Sequence, residues 1–191
     1  MTLRTQLLAG LLLLVSGCVV SPGEAGPLAA EGQAAALPAP PGETLAGGNQ
    51  AWFEVDGEVF RFRTPEVRHS RVRAGDGLVA EHFELERPDK ALYVRLVLQV
   101  DPDRRDLSGE YAAVSLDDPA QAGRAGVGEV VLAEETDPGR GRRMLPSGSG
   151  RIDVVQSDGR LEVRFETGGD GLFRAADAAP VKGGINFHWR P

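Results

Sequence analysis

Residues 51–191 are predicted to fold as an all-β domain, an antiparallel β-sandwich or partly open barrel of about nine or ten strands. Three features of the sequence lead there. Apolar residues recur at every second position in short runs, most plainly at Leu92, Val94, Leu96, Leu98 and Val100, which is the period of a strand with one buried face. The runs are separated by Asp-Gly, Pro-Asp and Gly-rich breaks that supply turn conformations. No stretch keeps the period of an amphipathic helix.

Two segments precede this domain. Residues 1–17 have the parts of a secretory signal: Arg4 as the single positive charge, an apolar region from Leu7 to Val15, and the small pair Ser16-Gly17. The apolar region is about half the roughly 20 residues that a membrane-spanning helix needs. Val15-Ser16-Gly17-Cys18 resembles the lipobox of bacterial lipoproteins, the pattern aliphatic, small, small, Cys, placed where the apolar region ends. The resemblance implies that the Cys18 sulfur receives a diacylglycerol, that the preceding peptide is removed, and that the new amino group is acylated. More than one chain is needed because a single acyl chain gives only reversible membrane binding. Val19 follows the cysteine where an Asp would favour inner-membrane retention in that family, so the outer membrane is the expected location.

Residues 18–50 then read as a flexible spacer. Val19 to Gln50 is built from Ala, Gly, Pro and Glu, without an aromatic, Lys or Arg and without a sustained period. Leu37-Pro38-Ala39-Pro40-Pro41 is locally stiff, and a coil of this length reaches on the order of 30 Å.

The strands are expected in the following order. Trp52 to Val55 and Val59 to Arg63 form a hairpin around Asp56-Gly57, with Phe53, Val55, Phe60 and Phe62 facing inward and Arg61 and Arg63 facing water. Val67 to Arg73 is polar and suits a sheet edge, where Arg68, Arg71 and Arg73 discourage pairing with another molecule. Val79 to Glu86, the turn Arg87-Pro88-Asp89-Lys90, and the Leu92–Val100 run come next. Gly109 to Leu116 and Val127 to Glu134 add two strands around an irregular connection, Asp117 to Gly126. Asp137 to Gly150 is expected to be a long loop on its Gly and Arg content. Arg151 to Gln156 and Leu161 to Thr167 form a hairpin at Ser157-Asp158-Gly159-Arg160, and strands near Leu172–Ala175 and Gly184–Arg190 close the domain, the last with Ile185, Phe187 and Trp189 inward. From Gly148 onward the pattern also resembles the ends of several small β-rich envelope lipoproteins, a resemblance that brings no catalytic residue.

Composition narrows the function. The net charge is −7, and it becomes −8 once Arg4 leaves with the signal, so the basic footprint of a nucleic-acid-binding protein is missing and no such partner is expected. Cys18 is the only cysteine, which leaves no intramolecular disulfide and no Cys metal cluster. His69, His82 and His188 lack metal-ligand spacing, with His82 and His188 on the expected solvent face, so neither a metal nor a cofactor is expected. Asp101-Pro102-Asp103-Arg104-Arg105-Asp106 gathers carboxylates, yet Arg105 stands where a calcium loop needs an oxygen ligand, and the segment reads as a solvated turn. Ser147 and Ser149 miss the Gly-x-Ser-x-Gly nucleophile pattern, which leaves no predicted catalytic residue.

The expected function is therefore that of an envelope lipoprotein held to the membrane through lipidated Cys18, its non-catalytic domain acting in binding or envelope structure. The alternative is a polysaccharide- or peptidoglycan-binding module in which Trp52 stacks on sugar and the basic residues Arg140, Arg142 and Arg143 dock on anionic envelope material. An envelope hydrolase using carboxylates such as Glu81, Glu84 and Glu86 ranks below both. The expected partners are the membrane and an envelope glycan or protein.

Overall fold

The computed structural model describes residues 48–137, 141–146, 148–168 and 180–190, with side chains at 48–133, 148–168 and 180–190. The lipobox, nearly all of the spacer, Arg140, Ser147 and the strand expected near Leu172–Ala175 lie outside the described residues.

Eleven strands form one sheet: β1 Asn49–Val55, β2 Glu58–Thr64, β3 Val67–Arg73, β4 Val79–Glu86, β5 Leu92–Val100, β6 Gly109–Ala113, β7 Val127–Asp137, β8 Gly141–Pro146, β9 Gly150–Ser157, β10 Arg160–Thr167 and β11 Val181–His188. The all-β expectation is met. Hydrogen-bonded neighbours run β2-β1-β11-β10-β9-β6-β7-β5-β4-β3, with β8 added to β7. Every pair is antiparallel except β6–β7, which is parallel over a short contact. Counting directions along this path, β2 and β3 run the same way, although they stand at its two ends. Only Pro65 and Glu66 separate them. They are one bent strand, laddered to β1 in its first half and to β4 in its second, and the bend draws the sheet round into a nearly closed barrel. Pro65 suits the bend because it has no ladder donor to lose, and Thr64 Oγ1 braces it by donating to the Glu66 carbonyl at 3.0 Å.

Alternation then does what the sequence predicts. Phe53, Val55 and Phe62 are buried inward and Phe60 packs against them, while Leu92, Val94, Leu96, Leu98 and Val100 line the interior. Asp56 and Gly57 both have positive φ, at 53° and 81°, as a tight hairpin with the right-handed strand twist requires, and Asp158-Gly159 repeats the arrangement at 51° and 71°.

The outer face of β5 and β7 is also buried, which the alternation does not predict. Val97, Gln99, Glu129 and Val131 are each at most 4% exposed, and the strap Val114–Gly126 is bonded to two of them, Gln99 and Glu129. Among the bonds that hold the strap are Gly123 N–H to Gln99 Oε1 at 2.9 Å, Leu116 N–H to Glu129 Oε1 at 3.2 Å, Gly126 N–H to the Gln99 carbonyl at 3.0 Å and Val114 N–H to the Gly128 carbonyl at 2.9 Å. The expected loop Asp137–Gly150 is corrected too, since Gly141–Pro146 is a strand on β7. Its Gly- and Arg-rich composition hides a ladder in which Arg142 and Arg143 are in register with Glu135 and Glu134.

Candidate functional site

Two places concentrate chemistry, one on the inner wall and one on the outer. The inner one begins with the alternation of β4, in which Glu81, Phe83 and Leu85 share the core face. Glu81 is thereby carried inward, its side chain 3% exposed. A buried carboxylate is stable only when paired and hydrogen-bonded. Opposite it on β3, His69 Nε2 is 2.8 Å from Glu81 Oε2, and Arg71 Nε is 3.2 Å from Glu81 Oε1. Phe83 stacks against the His69 ring with centroids 4.9 Å apart, and Trp189 meets that ring edge-on at 6.0 Å.

The segment after β5 meets this cluster. Arg71 Nη2 donates to the Pro102 carbonyl, and Arg104 donates to the carbonyls of Asp106 and Ser108 at 2.7 and 2.6 Å. The Arg104 guanidinium lies 5.4 Å from the centre of the Tyr111 ring, whose hydroxyl donates to the Leu107 carbonyl at 2.9 Å. The segment 101–106 is the expected exposed turn, with Arg104 alone of its side chains half-buried and bonded back to the carbonyls that follow it.

The sequence-predicted residues do not assemble. Glu81 points inward, whereas Glu84 and Glu86 point outward to Arg68, at 3.9 and 3.0 Å, so the three carboxylates divide between two faces of one strand. The histidines also separate. His69 is in the inner cluster, His188 lies exposed beside the Arg160 guanidinium at 2.8 Å, and His82 is on the outer face of β4. Burial and the nearby Arg95 hold the His82 imidazole below its usual pKa. Burial pushes Glu129 up, and pushes the Tyr93 hydroxyl up to about 12 with help from Glu84. Among the described residues no group of three His, Cys, Asp or Glu side chains is placed to hold a metal ion.

Neither a family model, nor a curated protein, nor a solved structure matches this chain. The reading of the site rests on its own geometry.

On the outer wall Trp52 lies on β1 at the face opposite Phe53, while Trp189 is inward as expected and 9% exposed. The Trp52 indole lies over Gly184 of β11, where an added Cβ would come 2.6 Å from Nε1 and 3.3 Å from Cε2. Gly183, next in line, does the same service on the inner face for Phe165. Two consecutive glycines therefore bed two aromatic rings on opposite sides of one strand. Arg142 and Arg143, the other half of the expected sugar site, are on β8, away from β1 in the strand order.

Sequence reading missed the His69–Glu81–Arg71 cluster. Its signal was present: any strand register that buries Phe83 and Leu85 also buries Glu81.

Proposed function

We propose that this protein is a bacterial envelope lipoprotein, fixed to the outer membrane by acylated Cys18 and displaying a non-catalytic β-barrel domain that acts by binding or by maintaining envelope structure. The observation that carries the attachment is Val15-Ser16-Gly17-Cys18 at the end of a short apolar run, followed by an Ala/Pro spacer. A binding or structural role is supported by the way the barrel uses its buried charge. Both oxygens of Glu81 are taken by His69 and Arg71 within the wall, an arrangement that holds β3 to β4.

Replacing Cys18 by Ser tests the attachment. Lipid labelling is expected to disappear and the protein to move to the soluble fraction; unchanged labelling and membrane retention would refute it. A second reading, a polysaccharide- or peptidoglycan-binding module, is favoured by one feature, the Trp52 ring laid along the outer wall. Loss of peptidoglycan or exopolysaccharide pull-down in Trp52→Ala checks it, and absence of binding to any envelope glycan counts against it.

A further inference from the structure

The arginines of this acidic chain are, for the most part, spoken for. On the strands, Arg68 holds Glu86, Arg71 holds Glu81, Arg95 holds Glu129 and Arg164 holds Glu162, while Arg160 donates to Asn186 Oδ1. Arg61 and Arg63 differ. Both are exposed on the outer face of β2, and neither has an ion pair or hydrogen bond. Arg73 is also free, but it ends β3 opposite Val79, with no aromatic in that pair.

The ladder puts the two free guanidiniums beside the tryptophan. Arg61 is directly opposite Trp52, and Arg63 is directly opposite Gln50, whose amide is likewise without a partner. Directly opposed side chains in an antiparallel pair have Cβ atoms about 4.5–5.5 Å apart, and residues two apart on one strand are about 6.8 Å apart. One patch thus offers an indole plane bedded on Gly184, two unpaired guanidiniums and an amide. Among the described residues no strap crosses it, and Arg61 and Arg63 are exposed there, whereas Gln99 and Glu129 on the outer face of β5 and β7 are buried where the strap bonds to them.

We infer that this face of β1 and β2 binds an acidic polysaccharide, the Trp52 indole stacking on a sugar ring while Arg61 and Arg63 hold its carboxylates. The inference rests on the binding reading above and is independent of the anchor. A guanidinium matches a carboxylate through two parallel N–H donors, which a point charge does not, and an aromatic face presents the apolar surface on which a pyranose packs. A membrane surface fits the patch less well. The indole lies along the wall, and the one exposed large apolar residue on β2 is Val59 at 41%, so little is available to insert below the headgroups. The chain's charge of −7 repels a polyanion at long range, so contact alone must hold the ligand and the affinity is modest, with a dissociation constant of about 0.1–1 mM.

The test is titration of the full chain in nonionic detergent with hexagalacturonate, followed by calorimetry and by tryptophan fluorescence. Neutral cellohexaose and anionic lipid vesicles are titrated in parallel. Hexagalacturonate is expected to bind at least about tenfold more tightly than cellohexaose, and R61A/R63A to lose about tenfold or more of that affinity together with its salt dependence. Equal binding of hexagalacturonate by wild type and R61A/R63A overturns the site while leaving the binding reading intact. Equal affinity for the neutral hexamer, or vesicle binding that alone depends on the two arginines, also overturns it. If the arginines serve only to keep the edge of β2 from pairing with another chain, the double variant changes oligomeric state and not glycan binding, which overturns it as well. Wild type that binds no oligosaccharide defeats both readings. Because Arg61 and Arg63 are exposed and unpartnered, the double variant is expected to keep its fold, and a thermal melt verifies this before titration.

Discussion

Glu81 shows how far one side chain depends on its neighbours. Its carboxylate is buried, and the Coulomb and hydrogen-bond contacts of His69 and Arg71 offset the loss of water. Those partners are about a third exposed, so they retain some solvation when the carboxylate is removed. Glu81→Ala is therefore expected to destabilise the domain by about 2–4 kcal/mol, at the lower side of what breaking a fully buried pair costs. Glu81→Gln, which keeps the shape and one acceptor, should lose less. Urea midpoints of the two variants at neutral pH measure this, and an unchanged midpoint in Glu81→Ala would show that the cluster contributes nothing to the fold.

At the scale of elements, the strap Val114–Gly126 is fastened through a buried carboxylate. Glu129 Oε1 accepts from Leu116 N–H, and Oε2 lies 3.3 Å from Arg95 Nη2. Burial nonetheless outweighs these contacts and raises the Glu129 pKa above its ordinary 4.5. The unfolded chain thus gives up this proton before the folded chain does. The contribution is fully present below the unfolded value of 4.5 and is lost as pH rises through the folded value. Glu129→Gln keeps an acceptor for Leu116 and removes this titration. Its stability relative to wild type is expected to be more favourable at pH 7 than at pH 4, read from urea midpoints at the two values. A difference that is constant with pH would mean that Glu129 titrates alike in both states. The strap itself was invisible to pattern reading: its first residues, Val114 to Leu116, continue the expected strand that in fact ends at Ala113, and residues 117–126 have no period. The clue lay in the apolar or neutral residues Val97, Gln99 and Val131 at positions that alternation assigns to water. Strand β8 was missed for a related reason: its ladder partner is β7, and composition within one segment carries no information about its partner.

For the molecule as a whole, alternation made the barrel's inner wall legible, while closure was not. The sequence separates β2 and β3 by Pro65-Glu66, as any short break does, and only the ladder partners β1 and β4 show that one strand continues through the bend. That continuity also sets register. Thr64 and Val67 both face inward, so the two corner residues absorb a change of phase between the halves. Inserting a single Ala between Pro65 and Glu66 forces one of two outcomes. Either the corner distorts to keep phase, or β3 slips by one and turns Glu66, Arg68 and Ser70 toward Leu85, Phe83 and Glu81 in the core, with His69 and Arg71 expelled and Glu81 left without its two partners. Burying Glu66 and Arg68 and removing both partners of a buried carboxylate each remove several kcal/mol, of the order of a small domain's whole stability, so the inserted chain is expected to lose its cooperative thermal transition. The same Ala placed between Ala120 and Gln121, in the exposed part of the strap, changes no ladder and should leave the transition within about 5 °C of wild type. If both insertions melt like wild type, the corner does not set the phase of β3, and β2 and β3 act as separate strands.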